Sequence, residues 1–133
     1  HYAGLLVARS SLERKVASST GMSETHTTHD ACEELVWLRH LASELGDNVD
    51  YPSPLFNDNA GVVKQSTKQL NHSSAKHYRV DQAAIRQYND DKIIKTMDVS
   101  SENNVADILT KALPCALFEK HRTCLMGPHQ PPK

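Results

Sequence analysis

Three carboxylates stand where chemistry could be assembled: Glu24, Asp58 and Asp107. Glu24 falls in the first turns of a predicted long helix, Asp58 follows the short apolar strand around Leu55-Phe56, and Asp107 lies near the start of a predicted C-terminal helix. Acidic groups from elements so far apart in sequence can converge on one site. Hard divalent cations such as magnesium take oxygen ligands, and a pair about 4 Å apart can hold the attacking and leaving oxygens of a phosphodiester in line. That chemistry needs several carboxylates together. The chain holds 16 Asp and Glu residues, so spacing alone does not single these three out, and most surface carboxylates are only solvated.

The elements that must position them are legible in the hydrophobic period. Residues 4–9 read as a short apolar strand and residues 12–17 as its partner, weakened by Arg14 and Lys15. Ala31, Leu35, Leu38, Ala42 and Leu45 recur at three and four residues, which predicts an amphipathic helix capped at Ser19 or Thr20 and ended at Gly46. Trp37 beside that stripe reads as a core or semi-core anchor. A loop with Pro52 and Pro54 leads into the strand at Leu55-Phe56 and then Asn57-Asp58-Asn59. Helices are predicted at 60–65, 78–88 and 105–113, the last stopped by Pro114, with a strand at 92–99. Strands alternating with helices indicate an α/β domain over 1–127, and the tail 128–133, with three prolines, reads as disordered.

Composition narrows the classes. At 133 residues and 38% hydrophobic content the chain fits one globular core. Its net charge of -1 provides no global positive field, so any nucleic-acid binding must come from a local patch. No run approaches the roughly 18 apolar residues of a membrane span, which predicts no membrane partner. Cys32, Cys115 and Cys124 form no CxxC pair, and an odd number mildly favours a reducing compartment. The chain starts at His1 rather than Met, which reads as a fragment or a processed product: intracellular if a piece of a larger intracellular polyprotein, secreted if a signal peptide has been removed.

A chain of motifs sharpens the carboxylate reading. Val16-Ala17-Ser18-Ser19-Thr20 is followed by Ser23-Glu24, then Trp37-Leu38-Arg39 with Glu44-Leu45-Gly46, then Asn57-Asp58-Asn59. Next come Ala75-Lys76-His77 and Ala106-Asp107-Ile108-Leu109-Thr110-Lys111-Ala112-Leu113, the most specific of the set. In order and spacing, about residues 9–127 resemble the ribonuclease H segment that closes copia-type retrotransposon polyproteins. The resemblance implies a mixed sheet flanked by helices and hydrolysis of the RNA strand of an RNA/DNA hybrid with two magnesium ions. It makes Glu24, Asp58 and Asp107 the catalytic metal ligands and brings Lys76 and His77 near substrate phosphate, where lysine acts as a point charge. For Lys76 and His77 a structural role is an equal alternative.

The departures are as informative. The family pattern begins with a strand bearing another aspartate, yet no Asp precedes Asp30 and Glu13 is the only acidic residue upstream of Glu24. Thr25 replaces an aromatic after the helix glutamate, and Arg79 stands where an acidic residue is expected after Lys76-His77. The resemblance therefore implies a truncated ribonuclease H-like fold whose first central strand is missing. Residues 4–8 or a protein partner would have to complete the sheet, and nuclease activity is expected to be weak or absent.

Other constellations have plainer readings. A zinc site can be drawn through His26, His29, Asp30 and Cys32, or His121 and Cys124, but without a recognised paired-ligand spacing. Solvated histidines and a buried small Cys32 are the simpler expectation. Ser18 and Ser19 lie in no G-x-S-x-G turn and suit helix capping. A second functional reading is a secreted, non-enzymatic effector that reuses the fragment, because Arg39-His40-Leu41-Ala42 comes near the RxLR signature of oomycete effectors but lacks its second arginine.

Overall fold

A computed structural model describes residues 7–8, 20–66 and 76–127. The strands expected at 4–9 and 12–17 and the 128–133 tail lie outside or almost wholly outside the described residues. The chain divides into two compact units, Lys15–Asp98, and Val99–Lys133 with His1–Arg14.

In the first unit, α1 (Thr20–Glu44) is followed by β1 (Ser53–Asn57), α2 (Ala60–Gln65), α3 (Lys76–Asp90) and β2 (Ile94–Asp98). The two strands pair in parallel, from Ser53 against Ile94 to Asn57 against Asp98. A parallel pair requires a long crossover, which here contains α2 and α3. Mixed α/β architecture was the expectation, and α2 falls where it was predicted.

Cys32, Ile85 and Ile94 form the buried core of this unit, flanked by Leu35, Val36, Leu55, Tyr88 and Ile93. The face that α1 buries differs from the predicted stripe. Thr25, Thr28 and Cys32 are buried, whereas Leu45 lies just past the helix end and is exposed. Buried hydroxyls are tolerable here because each is satisfied within the helix. Thr25 Oγ1 donates to the Gly21 carbonyl at 2.9 Å and Thr28 Oγ1 to the Glu24 carbonyl at 2.7 Å. Trp37 is not a core anchor, being 56% exposed. Nine residues beyond Thr28, at about 100° per residue, it points half a turn away from the buried face.

Side chains tie the elements together. Arg39 Nη1 donates to the Tyr51 carbonyl and to Ser53 Oγ, both at 2.8 Å, fastening the loop before β1 onto α1. Asn89, at the end of α3, donates to the Ile85 carbonyl and Thr96 Oγ1 and accepts from the Thr96 backbone at 2.8 Å. Gly46 closes α1 with φ of 88°, a conformation that a β-carbon disfavours.

The second unit differs more from expectation. In place of a helix over 105–113 there are two 3-10 turns, Ser101–Asn103 and Val105–Leu109, followed by α4 (Cys115–Met126) beyond Pro114. The partly or fully buried residues of α4 are Leu117, His121, Arg122 and Leu125. A histidine at its centre, fully buried with neither ring nitrogen hydrogen-bonded among the described residues, conceals the apolar period.

Burial in the first unit's core pushes the Cys32 thiol up from its ordinary 9.0 to about 12, with the Glu33 charge adding to the effect. In the folded chain at pH 8, iodoacetamide is expected to label the exposed Cys115 and Cys124 and spare Cys32, with all three labelled in urea. Because the folded value is raised, the stability from keeping this thiol neutral is complete below pH 9.0 and is lost as pH rises toward about 12. Urea midpoints at pH 8 and pH 11 should converge between wild type and Cys32→Ala. Equal labelling of all three cysteines in the native chain would contradict the burial.

Candidate functional site

The end of β1 is built by its asparagines. Asn57 Oδ1 accepts from the Asn59 backbone N–H at 2.7 Å, which turns the chain directly after the strand. Asn57 Nδ2 donates to Thr28 Oγ1 at 2.8 Å, anchoring the turn on α1. Asn59 Oδ1 then caps α2, accepting from Gly61 at 2.7 Å and Val62 at 3.2 Å. Its Nδ2 donates to Glu24 Oε2.

Through that bond the turn carrying Asp58 and the helix carrying Glu24 form one neighbourhood. Glu24 is half-buried, with one oxygen taken by the Asn59 amide, and the Asp58 side chain is exposed. Asn57 and Asn59 are the positioning residues that spacing did not assign, although an asparagine just before a helical run is a readable cap signal.

Asp107 belongs to the second unit, in the turn Val105–Leu109. Only 6% exposed, it is held on both oxygens: Lys111 Nζ lies 2.8 Å from Oδ2, and Asn104 Nδ2 donates to Oδ1 at 3.2 Å. A cation at Asp107 must compete with Lys111. Lys76 and His77 open α3, and their side chains lie outside the described residues.

Arg39, the arginine of Arg39-His40-Leu41-Ala42, is engaged with the loop before β1. That contact gives the residue a structural task.

Over 127 residues, 95% of the chain, the sequence is 31% identical to the "Retrovirus-related Pol polyprotein from transposon TNT 1-94" of Nicotiana tabacum. The chain is similar to Pol polyproteins of plant transposons. Two more such Pol polyproteins come from Arabidopsis thaliana: transposon RE2, 28% identical over 80% of the chain, and transposon RE1, 26% identical over 90%. The chain spans 9%, 7% and 8% of these three Pol relatives, so it corresponds to a small region of each. No family model matches the chain. No solved structure matches it.

Proposed function

We propose that the chain is a relict ribonuclease H-like region of a retrotransposon Pol polyprotein, which ancestrally hydrolysed the RNA strand of RNA/DNA hybrids and is impaired here. The observation that carries this reading is the Asn59 bridge between Glu24 and the Asp58 turn, in a chain similar over most of its length to Pol polyproteins. Magnesium, when bound to such a site, would activate water and stabilise the leaving oxygen of the phosphodiester.

Glu24 and Asp58 fit as oxygen donors for that ion. Asp107 fits less well, with Lys111 and Asn104 on its two oxygens. Lys76 and His77, in the first turn of α3, are assigned to substrate phosphate. The first aspartate of the family pattern has no counterpart before Asp30, and Asp107 is engaged by Lys111, which supports weak or absent activity in these 133 residues. The two strands among the described residues would be a marginal unit by themselves, in keeping with a sheet that residues 4–8 or a protein partner complete.

The test uses the purified chain, a labelled RNA/DNA hybrid and magnesium. Cleavage is expected to be slow or undetectable, and any that occurs should vanish in both Asp58→Asn and Asp107→Asn. Robust magnesium-dependent cleavage by the wild type would refute the impairment, and cleavage surviving in both variants would refute the carboxylate assignment. Magnesium titration followed by NMR should also perturb Glu24 and Asp58, with the response lost in Asp58→Asn.

A further inference from the structure

One turn beyond Glu24, on the flank of α1 that meets α3, the first unit gathers nitrogen donors. His26, His29 and Asp30 each offer a ligand atom, all within 4.8 Å of one another. They share a helix face because residues three and four apart are neighbours on it. His26 Nε2 lies 3.9 Å from Asp30 Oδ1. From α3, Asp81 Oδ2 stands 3.0 Å from His26 Nδ1, and its Oδ1 is 3.8 Å from His29 Nδ1. Glu33 Oε1 is 3.8 Å from His29 Nε2.

The Asp81 contact sets the chemistry of His26. An ionised carboxylate only accepts, so His26 Nδ1 is the donor, and in the neutral imidazole the lone pair then sits on Nε2, facing Asp30. A carboxylate behind a histidine, fixing its tautomer and ring orientation, is the usual support of a metal-bound imidazole.

We propose that His26 Nε2, a ring nitrogen of His29 and the Asp30 carboxylate bind a divalent transition ion, zinc by its nitrogen and oxygen donors, with Asp81 of α3 as the orienting carboxylate. Tetrahedral zinc, with bonds of about 2.1 Å, sets its ligands about 3.4 Å apart. His26 Nε2 and Asp30 Oδ1 are 3.9 Å apart, and all three ligand atoms lie within 4.8 Å, so binding requires them to draw in by about 1 Å. Asp30, with a side chain 52% exposed, can supply that movement. The His26 and His29 side chains are 23% and 17% exposed. Asp30, Glu33 and Asp81 surround two imidazoles, and this excess of negative charge favours a cation. Three protein ligands leave a fourth position for water. The site is independent of the nuclease reading, since magnesium prefers an all-oxygen shell and zinc accepts imidazole.

The experiment titrates the full chain, carrying Cys115→Ser and Cys124→Ser, with Co2+ by visible absorption and then displaces it with Zn2+. One equivalent of Co2+ should bind, with zinc displacing it at micromolar concentration and millimolar Mg2+ leaving it in place. His26→Gln/His29→Gln should abolish the signal, and Asp81→Asn should weaken binding about 10- to 100-fold. Asp30→Asn, an exposed change, should weaken binding with an unchanged circular dichroism spectrum, so that loss of binding is read in a folded chain. Absence of Co2+ binding to the parent chain, or binding unchanged in the double histidine variant, would overturn the proposal.

Discussion

Ile94→Asp is expected to unfold the Lys15–Asp98 unit. Ile94 is 1% exposed and joins Cys32 and Ile85 in the core, so the substitution removes a buried aliphatic group and puts an unpaired carboxylate in its place. Deleting the side chain alone, as in Ile94→Ala, costs about 2 to 5 kcal/mol. Burying an unpaired charge adds several more, and a small domain has only about 5 to 15 kcal/mol in total. In urea titrations followed by circular dichroism, Ile94→Ala should shift the midpoint strongly downward and Ile94→Asp should show no native baseline. Phe56→Asp is the control, because Phe56 is 57% exposed on the same sheet and its replacement should change stability by less than about 1 kcal/mol. A wild-type midpoint for Ile94→Asp would mean that the core lies elsewhere.

Asn59→Ala is expected to produce the second large loss, about 2.5 to 4 kcal/mol. Removing the α2 cap costs about 1 kcal/mol, and breaking the hydrogen bond to the Glu24 carboxylate costs about 1.5 to 3 kcal/mol. Asn59→Ser separates the two contributions. Its hydroxyl can still cap α2 but is too short to hold Glu24, so it should recover about 1 kcal/mol of the loss. Gly61→Ala should also destabilise, since a β-carbon there would meet Asn59 Oδ1 at 2.8 Å. Should Asn59→Ala unfold within about 0.5 kcal/mol of wild type, the bridge between α1 and the β1 turn is not a stabilising contact. Chemical denaturation at fixed pH reads all three variants.

These residues also mark how far local pattern carries. The α/β alternation, α2, and the helices from Thr20 and around Val80 to Tyr88 are visible because apolar spacing and breakers act over one or two turns. The α1 face was shifted because Thr25 and Thr28 satisfy their hydroxyls on the preceding turn, Thr28 also accepting from Asn57, so that both are buried, which a hydrophobicity count does not register. Trp37 misled for the converse reason, as a large aromatic that packing leaves outside.

The sequence by itself determined which residue types are on hand: carboxylates at Glu24, Asp58 and Asp107, histidines at His26 and His29, and strands and helices to carry them. Tertiary structure decided their company. It joined Glu24 to the Asp58 turn through Asn59 and set Asp81 behind His26 across 55 residues of chain, whereas Lys111 meets Asp107 locally, four residues on. Local periodicity fixes which face a residue occupies, whereas a site depends on which faces meet, and that is settled by burial of Cys32, Ile85 and Ile94 in one core.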